Sequence, residues 1–123
     1  MNISELLKQV KNQLEVTLPL MEGREKGSLV LNTDMTITEW GYLTDHEKNE
    51  EYVAFIVKED PVNFYFGGSV TTDKFKKIDA MGEETVAALK QDGIPVVFEE
   101  KKSKSSGMKY HDMIIKAYVK WKL

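Results

Sequence analysis

Two different spacings of hydrophobic residues divide the chain. Over residues 3–14 the apolar positions recur at steps of three and four, which predicts an amphipathic helix. From residue 28 onward the pattern changes to that of strands: a short apolar run at residues 28–32 is followed by runs rich in β-branched and aromatic residues that alternate with polar segments. The chain is therefore expected to begin with a helix and to continue as a mainly β domain. The apolar face of the helix is formed by Ile3, Leu6, Leu7, Val10 and Leu14.

The elements predicted after the N-terminal helix follow a definite order. Three strands are followed by a helical segment that begins at Thr72, is interrupted at Gly82 and ends at Gly93, and then by two more strands. The predicted strands are residues 35–43, 52–58, 64–70, 94–98 and 108–121.

Two of these strands carry a further signal. Residues 52–58 are apolar on both faces, so we expect this strand to lie centrally and to be covered on both sides. Gly41 interrupts the first strand, which predicts a bulge or a sharp bend at that position. Simple alternation places Trp40 and Tyr42 on the face opposite Ile37.

Three strands, a helix and two strands form the element order of the OB-fold, a five-stranded, partly open Greek-key barrel. Five segments carry the resemblance described next: residues 36–43 (TITEWGYL), 52–60 (YVAFIVKED), 64–68 (FYFGG), 72–75 (TDKF) and 96–104 (VVFEEKKSK). On these segments the chain resembles the small OB-fold single-stranded DNA-binding proteins of bacteriophages and mobile elements. The resemblance implies an α+β, mainly β fold: a five-stranded barrel with a helix between strands 3 and 4, plus an extra N-terminal helix.

The same resemblance implies a function. It suggests a protein that binds single-stranded nucleic acid, foremost single-stranded DNA, with little sequence preference, in the replication or recombination of phage or mobile-element DNA. The loop of the last hairpin would contact the nucleic acid.

Length and composition agree with one soluble domain. The chain has 123 residues and no cysteine, which excludes disulfides and thiolate metal sites. No apolar run approaches the roughly 20 residues of a membrane span, and no export signal is recognisable, so a cytoplasmic location is expected. We expect a single domain over residues 1–123, with a helix and loop at 1–27 and the barrel at 28–123.

Charge is distributed unevenly along the chain. Residues 1–95 carry ten basic and seventeen acidic side chains, whereas residues 96–123 carry seven basic and three acidic ones. Single-strand binding needs cations that displace counterions from the phosphate backbone, so the last hairpin is the predicted contact. The alternative interpretation is a solvated lysine-rich surface. The candidate phosphate-binding residues are Lys101, Lys102, Lys104 and Lys109.

Bases also stack on aromatic side chains, at about 1–3 kcal/mol per base. For each candidate, packing in the core is the competing interpretation. The candidate stacking residues are Trp40, Tyr42, Tyr65 and Tyr110.

The sequence contains no recognisable catalytic motif. His46 and His111 are isolated, and adjacent acidic pairs in a strand point to opposite faces and form no acid–base dyad. We therefore expect no enzyme, no metal site and no cofactor. A protein-binding module, such as a phage-encoded inhibitor of a host protein, remains the alternative. It would use the acidic surface of residues 1–95 or the N-terminal helix, which could also serve a homo-oligomer.

Overall fold

The computed structural model describes residues 18–45 and 47–116; the predicted helix over residues 3–14, His46 and residues 117–123 lie outside that range. The protein is α+β and mainly β, as predicted. Its elements in chain order are α1 (Leu18–Met21), β1 (Glu25–Lys26), β2 (Met35–Asp45), β3 (Glu50–Val57), β4 (Asp60–Phe66), α2 (Ser69–Asp79), α3 (Glu83–Asp92), β5 (Ile94–Lys102) and β6 (Lys109–Ile115).

The strands form one mixed sheet of six, in the order β1-β4-β3-β2-β5-β6. β1 runs parallel to β4, and all other neighbours are antiparallel. Three consecutive strands, β2, β3 and β4, lie side by side, and β5 returns through the two helices to pair with the opposite edge of β2. This long return beside the first strand is a Greek-key connection.

The sheet is open and does not close into the expected five-stranded barrel. Closure would require β4 to pair with β6, but among the described residues the outer edge of β4 pairs with Glu25 and Lys26 of β1. At the other edge of the sheet, the Met113 carbonyl of β6 accepts a hydrogen bond of 2.7 Å from Lys74 Nζ of α2. The outer edges of β4 and β6, which would pair in a closed barrel, therefore both have other partners.

A bulge near the start of β2 bends the strand that both halves of the sheet share. Ile37 pairs with Val57 while Glu39 pairs with Ile56, so β2 carries one extra residue at this point. The bulge is thus not at Gly41, which keeps regular pairing with β3. The extra residue also overturns the predicted alternation, because Ile37 and Trp40 both lie in the same core cluster.

Two hydrophobic cores cover the two faces of β3, as its sequence predicted. The larger core lies between the sheet and the helices α2 and α3, where the Phe55 ring stacks on Phe98 at 5.6 Å and on Phe75 at 6.0 Å between centroids. The smaller core, on the other face, buries Leu20 and Met21. Residues 53–57 of β3 are all buried between these layers.

The helical segment is divided at Gly82 and ended by Gly93, as predicted, and both glycines have positive φ. It begins earlier than expected, however, with Gly68 as the N-cap residue. Thr72 is instead buried inside α2, where its hydroxyl accepts from the Val53 backbone N–H at 3.0 Å. Thr72 therefore ties the helix to β3 rather than capping it. No described helix is long and apolar enough to span a membrane.

Candidate nucleic-acid interface

The hairpin of β5 and β6 extends beyond the rest of the sheet. β5 pairs with β2 only through residues 94–96, and beyond them it pairs with β6 alone. Phe98 and Met113 fix the base of the hairpin in the core, each with no exposed surface. We call residues 99–112, which lie beyond these two anchors, the arm. It is a two-stranded ribbon whose position is set by the core beneath it.

The loop at the end of the arm is organised by its own hydrogen bonds. The Ser103 backbone N–H donates to the Met108 carbonyl at 2.9 Å, and the Gly107 N–H donates to the Ser103 carbonyl at 2.9 Å. The Ser106 N–H donates to Ser103 Oγ at 3.3 Å. Gly107 has φ +72°, a conformation that glycine adopts without strain. Local polar residues therefore hold the loop in one shape.

The lysines of the arm differ in how far acidic neighbours neutralise them. Lys102 and Lys104 are exposed and form no ion pair with any described residue. Lys109 Nζ lies 3.9 Å from Glu100 Oε2, at the limit of an ion pair, and its side chain is 72% exposed. These three ammonium groups are the ones most available to an anionic partner.

Lys101 is held by a carboxylate that also binds a second lysine. Asp112 Oδ2 lies 2.6 Å from Lys101 Nζ, and Asp112 Oδ1 lies 2.7 Å from Lys74 Nζ of α2. Although burial alone would raise the pKa of Asp112, the hydrogen bonds from Lys101 and Lys74 lower it below its usual value. The hydrogen bond to Asp112 raises the pKa of Lys101 in turn.

Sequence reasoning missed Lys74 as a neighbour of the arm. It lies 38 positions before Asp112, in a helix, and only the packing of α2 against β6 brings the two together. The cluster of two ammonium groups and one carboxylate carries a net charge of +1 and extends the basic surface of the arm toward α2.

Trp40 is a core residue rather than an open stacking platform. Its side chain is only 5% exposed and its ring lies 5.2 Å from that of Phe75 between centroids. The indole Nε1–H donates to Asp79 Oδ1 at 2.9 Å. Lys90 Nζ of α3 lies 4.8 Å from the ring centroid. The ring therefore has no face open for a base in this structure.

Tyr42 shares the same carboxylate and is half-buried. Its hydroxyl donates to Asp79 Oδ2, and Lys76 Nζ lies 3.9 Å above the centre of its ring. Burial, reinforced by the hydrogen bond to Asp79, raises the pKa of Tyr42 above its usual value. Trp40 and Tyr42 thus serve to join β2 to the end of α2.

The two remaining tyrosines have different settings. Tyr65 is 5% exposed, packs on Phe55 at 5.8 Å between centroids, and donates its hydroxyl to Asp60. Burial and that hydrogen bond raise the pKa of Tyr65 to about 12. Tyr110 is half-buried on β6, directly opposite Lys101. Tyr110 alone of the candidate aromatic residues lies on the arm beside the lysines.

The structure therefore brings together five of the eight predicted site residues and separates the other three. The burial of Trp40 and Tyr65 corrects the expectation that they offer faces for stacking, because both rings complete the core under α2. The group on the arm consists of Lys101, Lys102, Lys104, Lys109 and Tyr110.

No group of three or more histidine, aspartate or glutamate side chains within residues 18–45 and 47–116 could hold a metal ion. His111 is exposed on β6. Its neighbour Asp112 is engaged by the two lysines.

Comparison of the chain with protein-family models, with curated proteins and with solved structures gives no significant match in any of the three.

Proposed function

We propose that the protein binds single-stranded nucleic acid, foremost single-stranded DNA, through the arm. The observation that carries the proposal is the pair of exposed lysines, Lys102 at the end of β5 and Lys104 in the hydrogen-bonded loop that follows, which have no acidic partner among the described residues. The setting we propose is the replication or recombination of phage or mobile-element DNA.

The strand order supports this proposal through the fold. β2 to β6 follow the chain order of an OB-fold, with the helical segment between the third and fourth of them, and four of them make a Greek-key arrangement. In that fold the loop between the fourth and fifth strands contacts oligonucleotides. Here the equivalent loop is residues 103–108 at the end of the arm. We propose an opened variant of this fold. In it β4 pairs with β1, whereas in a closed barrel β4 would pair with β6.

The proposed mechanism is passive binding without catalysis. Ammonium groups of Lys102, Lys104 and Lys109 would replace counterions along the phosphate backbone, which favours binding at low salt and gives no sequence preference. Tyr110 would offer an edge or a face to one base. Lys101 and Lys74 would contribute less, because Asp112 already neutralises part of their charge.

The experiment is a fluorescence anisotropy titration of a labelled dT oligonucleotide with the wild-type protein and with Lys102→Ala/Lys104→Ala. The matched control is Lys48→Ala/Lys77→Ala, which removes two exposed lysines outside the arm and changes the net charge equally. We expect the arm variant to bind at least about tenfold more weakly and the control to bind within about twofold of the wild type.

Equal losses in both variants would show that net charge, and not the arm, governs binding. Absence of binding by the wild type at low salt would contradict the proposal altogether. The protein-binding alternative would then become the leading hypothesis.

A further inference from the structure

Strand alternation gives the arm two different faces. The Met108 carbonyl accepts the hydrogen bond that closes the loop, so Met108 continues the register of β6. Because successive side chains of a strand point to opposite sides, Met108 and Tyr110 lie on one face of the ribbon and Lys109 lies on the other. Directly opposed residues of two paired strands share a face, so Lys101, opposite Tyr110, belongs to the first face. Lys102, opposite Lys109, belongs to the second face.

On the first face, carboxylates compensate the lysine. Asp112 lies on this face, and its Oδ2 is 2.6 Å from Lys101 Nζ. Glu99, directly opposite Asp112, adds a second carboxylate to the same face. Like charges repel, so a phosphate group is disfavoured on this face, whereas an uncharged base is not.

The same face exposes an apolar side chain next to the loop. Met108 is 71% exposed, the largest exposed fraction of any large hydrophobic side chain among the described residues. Tyr110 follows it two positions along the chain and is half-buried. Residues two apart on a strand are neighbours on one face, so the two side chains form a short strip beside the loop. We call Met108 and Tyr110 the apolar strip.

The second face carries two lysines at directly opposed positions. Lys102 and Lys109 form a cross-strand pair, and like charges in such a pair destabilise the ribbon. Within the described part of the chain, only the 3.9 Å contact of Lys109 with Glu100 offsets this repulsion through an ion pair. A phosphate group bound between the two ammonium groups relieves it. The charges of the arm therefore favour phosphates on the second face and disfavour them on the first.

We propose that the arm sorts the parts of a bound single strand between its two faces, with bases on the apolar strip and phosphates on Lys102 and Lys109. This inference rests on the proposed nucleic-acid binding and adds Met108 as a base contact. The thioether of methionine is polarisable and packs favourably against aromatic rings, and methionine is among the side chains that proteins insert between bases. Because the arm is only two strands wide, about 5 Å from strand to strand, one nucleic-acid strand can reach both faces near the loop.

The test compares two labelled oligonucleotides of equal length and charge, a dT strand and the same strand with abasic sites in place of the thymines. Met108→Ala should weaken binding to the dT strand about fivefold through the lost apolar contact, and should bind the abasic strand within about twofold of the wild type. The substitution removes no charge, so the dependence of affinity on salt should stay unchanged. Lys102→Ala should instead weaken binding to both strands and reduce the salt slope by about 0.7.

Two further variants serve as controls. Met81→Ala makes the same substitution at a methionine that is 38% exposed between α2 and α3, outside the arm, and should leave both affinities unchanged. Met108→Leu keeps an apolar side chain of similar volume and should retain most of the affinity for the dT strand.

Three results would overturn the assignment of Met108 while leaving the role of the lysines intact. These are equal wild-type affinity for the two strands, no loss with Met108→Ala on the dT strand, and equal losses with Met108→Ala on both strands. Absence of wild-type binding to the dT strand at low salt would instead remove the proposed function, and this inference with it.

Discussion

Asp112 sets how much positive charge the arm presents. Its two oxygens are each within 2.7 Å of an ammonium group, one from the arm and one from α2. In this position the carboxylate offsets positive charge that would otherwise attract a phosphate backbone. The ion pairs of Asp112 with Lys74 and Lys101 join the arm to α2. They also leave these two lysines less available to phosphate groups.

Asp112→Asn should therefore strengthen oligonucleotide binding, by about two- to fivefold at low salt, because it releases both ammonium groups. The measurement is anisotropy with the labelled dT oligonucleotide. The control is Glu100→Gln, which makes the same change of net charge but removes only the 3.9 Å contact with Lys109. An equal gain in the two variants would show that the Asp112 cluster has no local role.

Trp40 is expected to matter for stability rather than for binding. Trp40→Phe removes the hydrogen bond to Asp79 and part of a buried ring, which should lower the free energy of unfolding by about 1–3 kcal/mol. Urea denaturation measures this change, and oligonucleotide affinity should stay within about twofold of the wild type. A clear loss of affinity with unchanged stability would show instead that Trp40 contacts the nucleic acid.

These residues show how far sequence reasoning reaches at this scale. The excess of lysine in the last hairpin was visible, because charge can be counted along a chain. The burial of Trp40 could not be predicted from the sequence, because it depends on the extra residue in β2 that turns the ring toward α2. The pairing of Asp112 with Lys74 depends on tertiary packing alone.

At the scale of elements, the connection from β4 to α2 requires close approach of the backbone. A Cβ added at Gly67 would lie 2.7–2.8 Å from side-chain atoms of Thr71 and Val53. A Cβ at the adjacent Gly68 would meet nothing within 4 Å. The helix can therefore pack on β3 only if the first of these two residues has no side chain.

Gly67→Ala should destabilise the protein by about 2 kcal/mol or more through this overpacking. Gly68→Ala should cost less than about 1 kcal/mol, mainly as a poorer N-cap residue. Chemical denaturation of the two single variants makes the comparison. Similar losses for both would show that the backbone at Gly67 relaxes without cost.

The order of the elements and the burial of β3 on both faces could be predicted, because local patterns of apolar residues indicate both. Barrel closure could not be predicted, because it depends on which strand reaches the outer edge of β4. The two-residue strand β1 lies in a charged segment, Glu25 and Lys26, with no strand-like pattern. Its pairing with β4 is therefore a consequence of the tertiary fold.

For the whole molecule, we propose that a protein with a net charge of −3 binds an anionic polymer through one basic arm. The acidic majority of the chain opposes this binding at long range and the exposed lysines of the arm favour it at short range. Added salt screens the first effect and competes with the second. The change in that salt dependence when Lys102 and Lys104 are replaced therefore reports the lysine–phosphate contacts that these two residues form.

The most direct measurement is the affinity of wild-type protein for the dT oligonucleotide over a series of salt concentrations. Each phosphate contact with a single strand contributes about −0.7 to the slope of log affinity against log salt. Contacts from Lys102, Lys104 and Lys109 predict a slope of about −2, reduced to about −0.7 in Lys102→Ala/Lys104→Ala. A slope near zero, or one unchanged by that substitution, would contradict the assignment of the arm as the binding surface.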